Sequence, residues 1–257
     1  FLDQGNLEEA IKDFSRAIHC YEKSSNNDIA YFFRGISHVR LAKYEEAIHD
    51  FSRAIECNSA YSEAYHNRGI AHSMLGNYED AEKDYMKEIE LLESEKDGRQ
   101  SSRTNLAHRS LGMLFCFQER FRDAIPHFEK VLDIYGKISI VYVLILLHEI
   151  PNAMKELARI STDAPSHPLI LFANYIIGVL ANPMLDEKFP EFFNEQMELS
   201  IKSDFYYLVT AILIKHQTGL QIIQSFIKEL EKEIPNSVPL ANLQKSLQTI
   251  NESKFSS

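Results

Sequence analysis

A chain of 257 residues with 45% hydrophobic content has enough apolar material for a continuous core, which excludes an intrinsically disordered chain as the starting expectation. Acidic residues outnumber basic ones 37 to 27, and a formal charge of −10 repels a phosphate backbone on average, so nucleic-acid binding is not expected. Nine Gly and eight Pro in a chain rich in Glu, Lys, Ala, Leu and Ile favour helices joined by short turns over a turn-rich β fold.

In chain order, the first patterned segment is Gly5-Asn6-Leu7-Glu8-Glu9-Ala10 followed by Phe14 and Ala17, whose apolar residues fall on one helix face. Tyr31, Gly35, His38 and Leu41 predict a second helix, and Ala47, Phe51 and Ala54 a third. A shift of 34 residues then lays the chain on itself. Tyr31-x-x-Arg34-Gly35 falls on Tyr65-x-x-Arg68-Gly69, Tyr44 on Tyr78, Glu45 on Glu79, Ala47 on Ala81, Asp50 on Asp84 and Phe51 on Tyr85. Such agreement marks an internal repeat, each unit a helix, a short turn such as Gly76-Asn77, and a second helix packed antiparallel on the first. Gly35 removes a side chain where the two helices approach closely. A third copy, Leu111-Gly112, Phe121, Asp123-Ala124 and Phe128, is displaced by a further 43 residues because Ser94 to Ser102 is inserted; this polar insert is expected to be a loop. The segment from Gly5 is the second half of another copy, so further repeats or a targeting segment are expected to precede Phe1.

Beyond Tyr135 the rhythm persists more faintly. Ala153, Leu157 and Ile160 keep the second-helix stripe, with Pro165 following, and Ala211, Ile223, Ile227 and Pro235 fit a similar frame. Leu169 to Ala181 and Glu191 to Lys202 are expected to form a degenerate pair between them, and a capping helix is expected from about Val238 to Glu252. The apolar runs Ile138 to Leu147, Leu169 to Ala181 and Tyr206 to Ile214 fall short of the ~18 to 20 residues that span a membrane and read as buried helices. The expected organisation is therefore residues 1–135 as one partial and three complete repeats with an insertion near 94–103, and residues 136–257 as degenerate helical hairpins.

Small residues at Gly35, Gly69 and Gly112, alanines at Ala47, Ala81 and Ala124, an aromatic four residues after each alanine and the 34-residue period together resemble the tetratricopeptide repeat family. Two features depart from the family pattern: the opening aromatic is Tyr31, Tyr65 and then His108, and the proline after the second helix is missing from the first three copies. The resemblance implies an all-α fold, a right-handed superhelical solenoid of antiparallel hairpins, acting as a non-catalytic scaffold or adaptor. It implies too that a partner peptide or amphipathic helix lies in a concave groove lined by the first helix of each unit. The groove positions are Ile29, Phe32, Ile36, Val39 and Arg40, then Glu63, His66, Asn67, Ile70, Ser73 and Met74, then Leu106, Arg109, Met113, Cys116 and Phe117. Their largely apolar character is what marks a contact surface, with Met74 and Met113 as adaptable contacts. Two other readings stay open: a chaperone that holds an aggregation-prone client there, and a groove filled by the chain's own helices. The family's carboxylate clamp for chaperone tails would fall on Phe32, Ile36, Asn67, Leu106 and Ser110; only Asn67 matches, so that partner is not expected.

No chemistry-bearing motif competes with this reading. The ten histidines include no pair four apart with an adjacent Glu, and no Gly-rich phosphate loop or nucleophile elbow occurs, so no catalytic, metal or cofactor residues are expected. His38 and His72 are repeat equivalents at a packing position. Glu8-Glu9 and Glu45-Glu46 stand at helix starts, where negative charge complements the dipole. Cys20, Cys57 and Cys116 are widely spaced, which fits a reducing compartment and a cytoplasmic location.

Overall fold

The computed structural model describes residues 4–20, 27–94, 100–163, 167–181, 208–212, 224, 227–228, 230–232 and 234–255, and among these every regular element is an α-helix. The chain divides into two compact units, Phe1–Leu114 and Phe115–Ser257.

The first unit holds α1 (Gln4–Cys20), α2 (Asp28–Arg40), α3 (Tyr44–Cys57), α4 (Ser62–Met74), α5 (Tyr78–Ser94) and most of α6 (Gln100–Phe117). From α1 to α5 each helix packs on the next, and α2 also touches α4. The 34-residue stripe is the reason: Ala47, Phe51 and Ala54 on α3 are fully buried, as are Ala81 and, at 3% exposure, Tyr85 on α5. The glycines let these rings in. A Cβ on Gly35 would lie 2.7 Å from the Phe51 ring and one on Gly69 2.8 Å from the Tyr85 ring, distances no real Cβ tolerates.

The second unit holds α7 (Phe121–Lys130), α8 (Ile134–Leu146), α9 (Ile150–Ser161), α10 (Pro168–Ala181) and α11 (Val238–Phe255), with residues 208–212 also helical. Helices α7 to α10 pack consecutively. Ala153, Leu157 and Ile160 are buried on α9, and Ile138, Val141, Tyr142, Ile145 and Leu146 on α8, as their sequence stripes predict. Helix α7 has 10 residues against 14 in α3 and 17 in α5. Pro126 within it lacks the N–H that would reach back one turn, and the following hairpin begins early.

Four turns share one closure. Lys43 N–H reaches His38 O at 2.9 Å, Asn77 N–H reaches His72 O at 2.9 Å, Arg120 N–H reaches Phe115 O at 2.8 Å and Glu149 N–H reaches Leu144 O at 2.8 Å. The residue before each donor is left-handed: Ala42 at φ 54°, Gly76 at 77°, Glu119 at 57° and His148 at 61°. This is the Schellman arrangement that satisfies the last carbonyls of a helix. Its recurrence shows that the hairpin persists where the residue pattern fades.

One boundary differs from expectation. The insert was expected to be a loop from Ser94 to Ser102, but Ser94 ends α5 and α6 already begins at Gln100. Helix α6 is simply longer at its start, and Arg103 within it bonds Glu63 at 2.7 Å and Ser62 at 2.5 Å on α4. A helix, α11, does occupy the segment expected to cap the chain, and it runs on to Phe255. The expected helix at Glu191 to Lys202, and Pro165 and Ile223, lie outside the described residues. No helix among the described residues is long and apolar enough to cross a membrane.

Candidate functional site

Helix α2 has two differently used faces. Toward α3 it presents Arg34, whose Nε donates to Asp50 Oδ2 at 2.9 Å and whose Nη2 donates to Asp50 Oδ1 at 2.6 Å, a bidentate fork. The remaining arm, Nη1, donates to Ser15 Oγ on α1 at 3.0 Å. The next repeat reproduces the arrangement: Arg68 holds Asp84 at 2.8 and 2.7 Å and reaches back to Ser52 at 3.0 Å. Each guanidinium thus ties the second helix of its own hairpin to that of the preceding one, and Arg34 and Arg68 also lie over the Tyr31 and Tyr65 rings. In the third copy the aligned positions hold Leu111 and His127, so the fork cannot continue.

His38 sits beside this fork, its Nε2 3.6 Å from Asp50 Oδ2. Burial lowers the pKa of both His38 and His72 from the ordinary histidine value, outweighing their aspartates. The folded protein therefore takes up these protons less readily than the unfolded chain. Their contribution to stability is complete above about pH 6.5 and is lost as pH falls through that value toward the depressed folded pKa. Urea denaturation at about pH 7 and about pH 5 should show a smaller acid-side loss in the His38→Gln/His72→Gln double variant than in the parent; equal losses would contradict this assignment.

The other face of α2 carries Ile29, Phe32, Ile36 and Val39, spaced three, four and three apart. Ile29 is 58% exposed, and the other three are half-buried. Phe32 is fixed by rings on three sides, 4.9 Å from Tyr61, 5.4 Å from Phe33 and 5.8 Å from Phe51. Phe33, 45% exposed, stacks on Phe14 and extends the apolar surface toward α1. On α4, Asn67 and Ile70 are half-buried, and the Asn67 side chain donates back to Glu63 O at 2.8 Å. The structure thus brings Phe32, Ile36, Val39, Asn67 and Ile70 to the surfaces of two touching helices.

Other expected groove residues lie deeper. Met74 is 7% and Met113 3% exposed, so neither has much surface to give a ligand. His66 is buried as well, its Nδ1 2.8 Å from Glu88 Oε2 on α5. Glu88 is the 34-residue equivalent of Ala54, and His66 of Phe32; a hydrogen-bonded polar pair replaces an apolar one at matching places. Arg109 is half-buried, and Phe117, also half-buried, belongs to the second unit. Among the described residues no cluster of His, Cys, Asp or Glu could hold a metal ion.

The family model for the tetratricopeptide repeat matches residues 60–137. That segment carries tetratricopeptide repeats. A tetratricopeptide repeat protein from Parabacteroides merdae has a similar solved structure, with 18% identity and a TM-score of 0.64, covering 96% of this chain and 94% of the other. PilF of Pseudomonas aeruginosa is similar too, at 14% identity and a TM-score of 0.50, with 94% of this chain and 90% of that one covered. No curated protein sequence matches significantly. Tetratricopeptide hairpins are interaction scaffolds and generally non-catalytic, which agrees with a site made of side-chain surface. What sequence reasoning missed within these repeats is polar: the Arg34–Asp50 and Arg68–Asp84 forks, and the His66–Glu88 pair. The forks had a signal, since both partners recur at the 34-residue shift; Glu88 had none, because it replaces an alanine.

Proposed function

We propose that this protein is a scaffold or adaptor that holds a partner's apolar segment, an extended peptide or one side of an amphipathic helix, across α2 and α4. The observation that carries the reading is the strip Ile29, Phe32, Ile36, Val39 and Ile70, partly exposed on two touching helices, where solvent alone would select polar residues. Arg103, tied to Glu63 and Ser62, and Asn67 supply a polar border to orient the ligand. The other members of the expected set that belong to the first unit, His66, Met74, Arg109 and Met113, would act mainly as support. The cytoplasm is the proposed setting, a reading that the wide spacing of Cys20, Cys57 and Cys116 supports.

The test is selection of phage-displayed peptides on the intact chain, followed by binding assays on Ile29→Glu and Ile70→Glu variants. Selected peptides should share apolar residues at a fixed spacing. Ile29→Glu should lose at least about tenfold in affinity while its urea midpoint stays unchanged, because Ile29 is largely solvent-exposed. Peptides that bind the parent and both variants equally would exclude this face. Recovery of many apolar sequences without a common spacing, together with suppressed aggregation of an unfolded client, would replace the scaffold with the chaperone reading.

A further inference from the structure

The second unit contains a cavity of about 450 Å³ that the scaffold reading does not use. Its apolar lining includes Phe117, Phe121, Leu146 and Leu243, of which Leu146 and Leu243 are 1% and 5% exposed. Its polar side is different in kind. Asn242 and Lys245, three residues apart on α11, line it from an exposed helix face, and Glu119 lines it from the α6–α7 turn. A cavity of this volume is in the range that encloses small molecules, and an apolar interior with a few polar groups at one side is their usual setting.

We infer that this cavity binds a small monoanionic amphiphile, an aliphatic chain ending in a carboxylate, with the chain among Phe117, Phe121, Leu146 and Leu243 and the carboxylate at Lys245 and Asn242. The polarity follows from the donor count. The Lys245 ammonium and the Asn242 amide form no ion pair or side-chain hydrogen bond among the described residues, and both can donate to one carboxylate. Among the described residues that line the cavity, Glu119 alone offers negative charge; a cation there would leave the Lys245 ammonium and the Asn242 amide without a counterpart. Glu119 instead limits affinity for an anion by repulsion.

The experiment is isothermal titration of the full chain with decanoate, decanol and decylammonium, each below its micelle concentration. Decanoate should bind most tightly and decylammonium least. Lys245→Glu should weaken decanoate by at least about tenfold and leave decanol nearly unchanged, while Glu119→Gln should strengthen decanoate severalfold. Both substitutions are on exposed residues, so the fold is preserved, which circular dichroism checks. Absence of decanoate binding, equal affinity for all three compounds, or decanoate affinity insensitive to Lys245→Glu would each overturn the assignment.

Discussion

Asp84→Ala should lower the stability of the first unit by about 2 to 4 kcal/mol, one of the two largest single-residue effects expected in this chain. The Asp84 side chain is 6% exposed and receives two hydrogen bonds from Arg68, whose side chain is 21% exposed. Removing the carboxylate leaves a largely buried guanidinium whose remaining hydrogen-bond partner, Ser52, is neutral. Loss of one member of a buried ion pair costs about 3 to 5 kcal/mol, and the water reaching Arg68 reduces that figure. The cost resides in the orphaned charge, so the Arg68→Met/Asp84→Leu double variant should recover most of the loss. Urea denaturation followed by circular dichroism measures all three proteins. A loss below about 1 kcal/mol for Asp84→Ala, or a double variant no better than the single, would show that the fork contributes little.

The first unit was the most legible part of the sequence because its period is undisturbed. Close approach at Gly35 is legible in the sequence, and the ring distances of 2.7 Å there and 2.8 Å at its repeat equivalent Gly69 give that reading a geometric cause. The same reasoning weakened downstream for a physical reason. Helix α7 is cut to 10 residues, so every later position is shifted out of the 34-residue register although the hairpin itself continues. The turns show the same divergence of residue and geometry: only Gly76 announces a left-handed residue, while Ala42, Glu119 and His148 adopt the same conformation. The close of the Schellman bonds offsets a strain that the residue type does not advertise. Within the candidate site, helical spacing placed Ile29, Phe32, Ile36, Val39 and Ile70 on accessible surface, but depth was not legible. Met74 and Met113 share that spacing and are nonetheless buried, since burial depends on what the neighbouring helices place above a position. Glu88 illustrates the limit further, because an acidic residue at an alanine position reads as surface until His66 is found 2.8 Å away.

A single methyl group separates the two kinds of glycine in this chain. Gly136→Ala should cost about 2 to 3 kcal/mol, more than Gly69→Ala, although both replace glycine within a helix. At Gly69 the added Cβ would press on the Tyr85 ring at 2.8 Å; a ring can tilt by a few tenths of an ångström, and alanine returns up to about 1 kcal/mol of helix propensity. At Gly136 the new carbon would lie 2.4 Å from Val131 O and 2.7 Å from Phe128 O. Those are backbone atoms at the end of α7, and only three residues separate that helix from α8. Relief would require moving α8 away, breaking the cap in which Asp133 accepts hydrogen bonds from Tyr135 N–H at 2.9 Å and Gly136 N–H at 3.2 Å. That cap contributes about 1 kcal/mol of its own, so strain and cap loss add at one place. Urea midpoints of the two alanine variants decide the matter: a Gly69→Ala loss equal to or larger than that of Gly136→Ala would mean that the α7–α8 connection yields more easily than the packed ring.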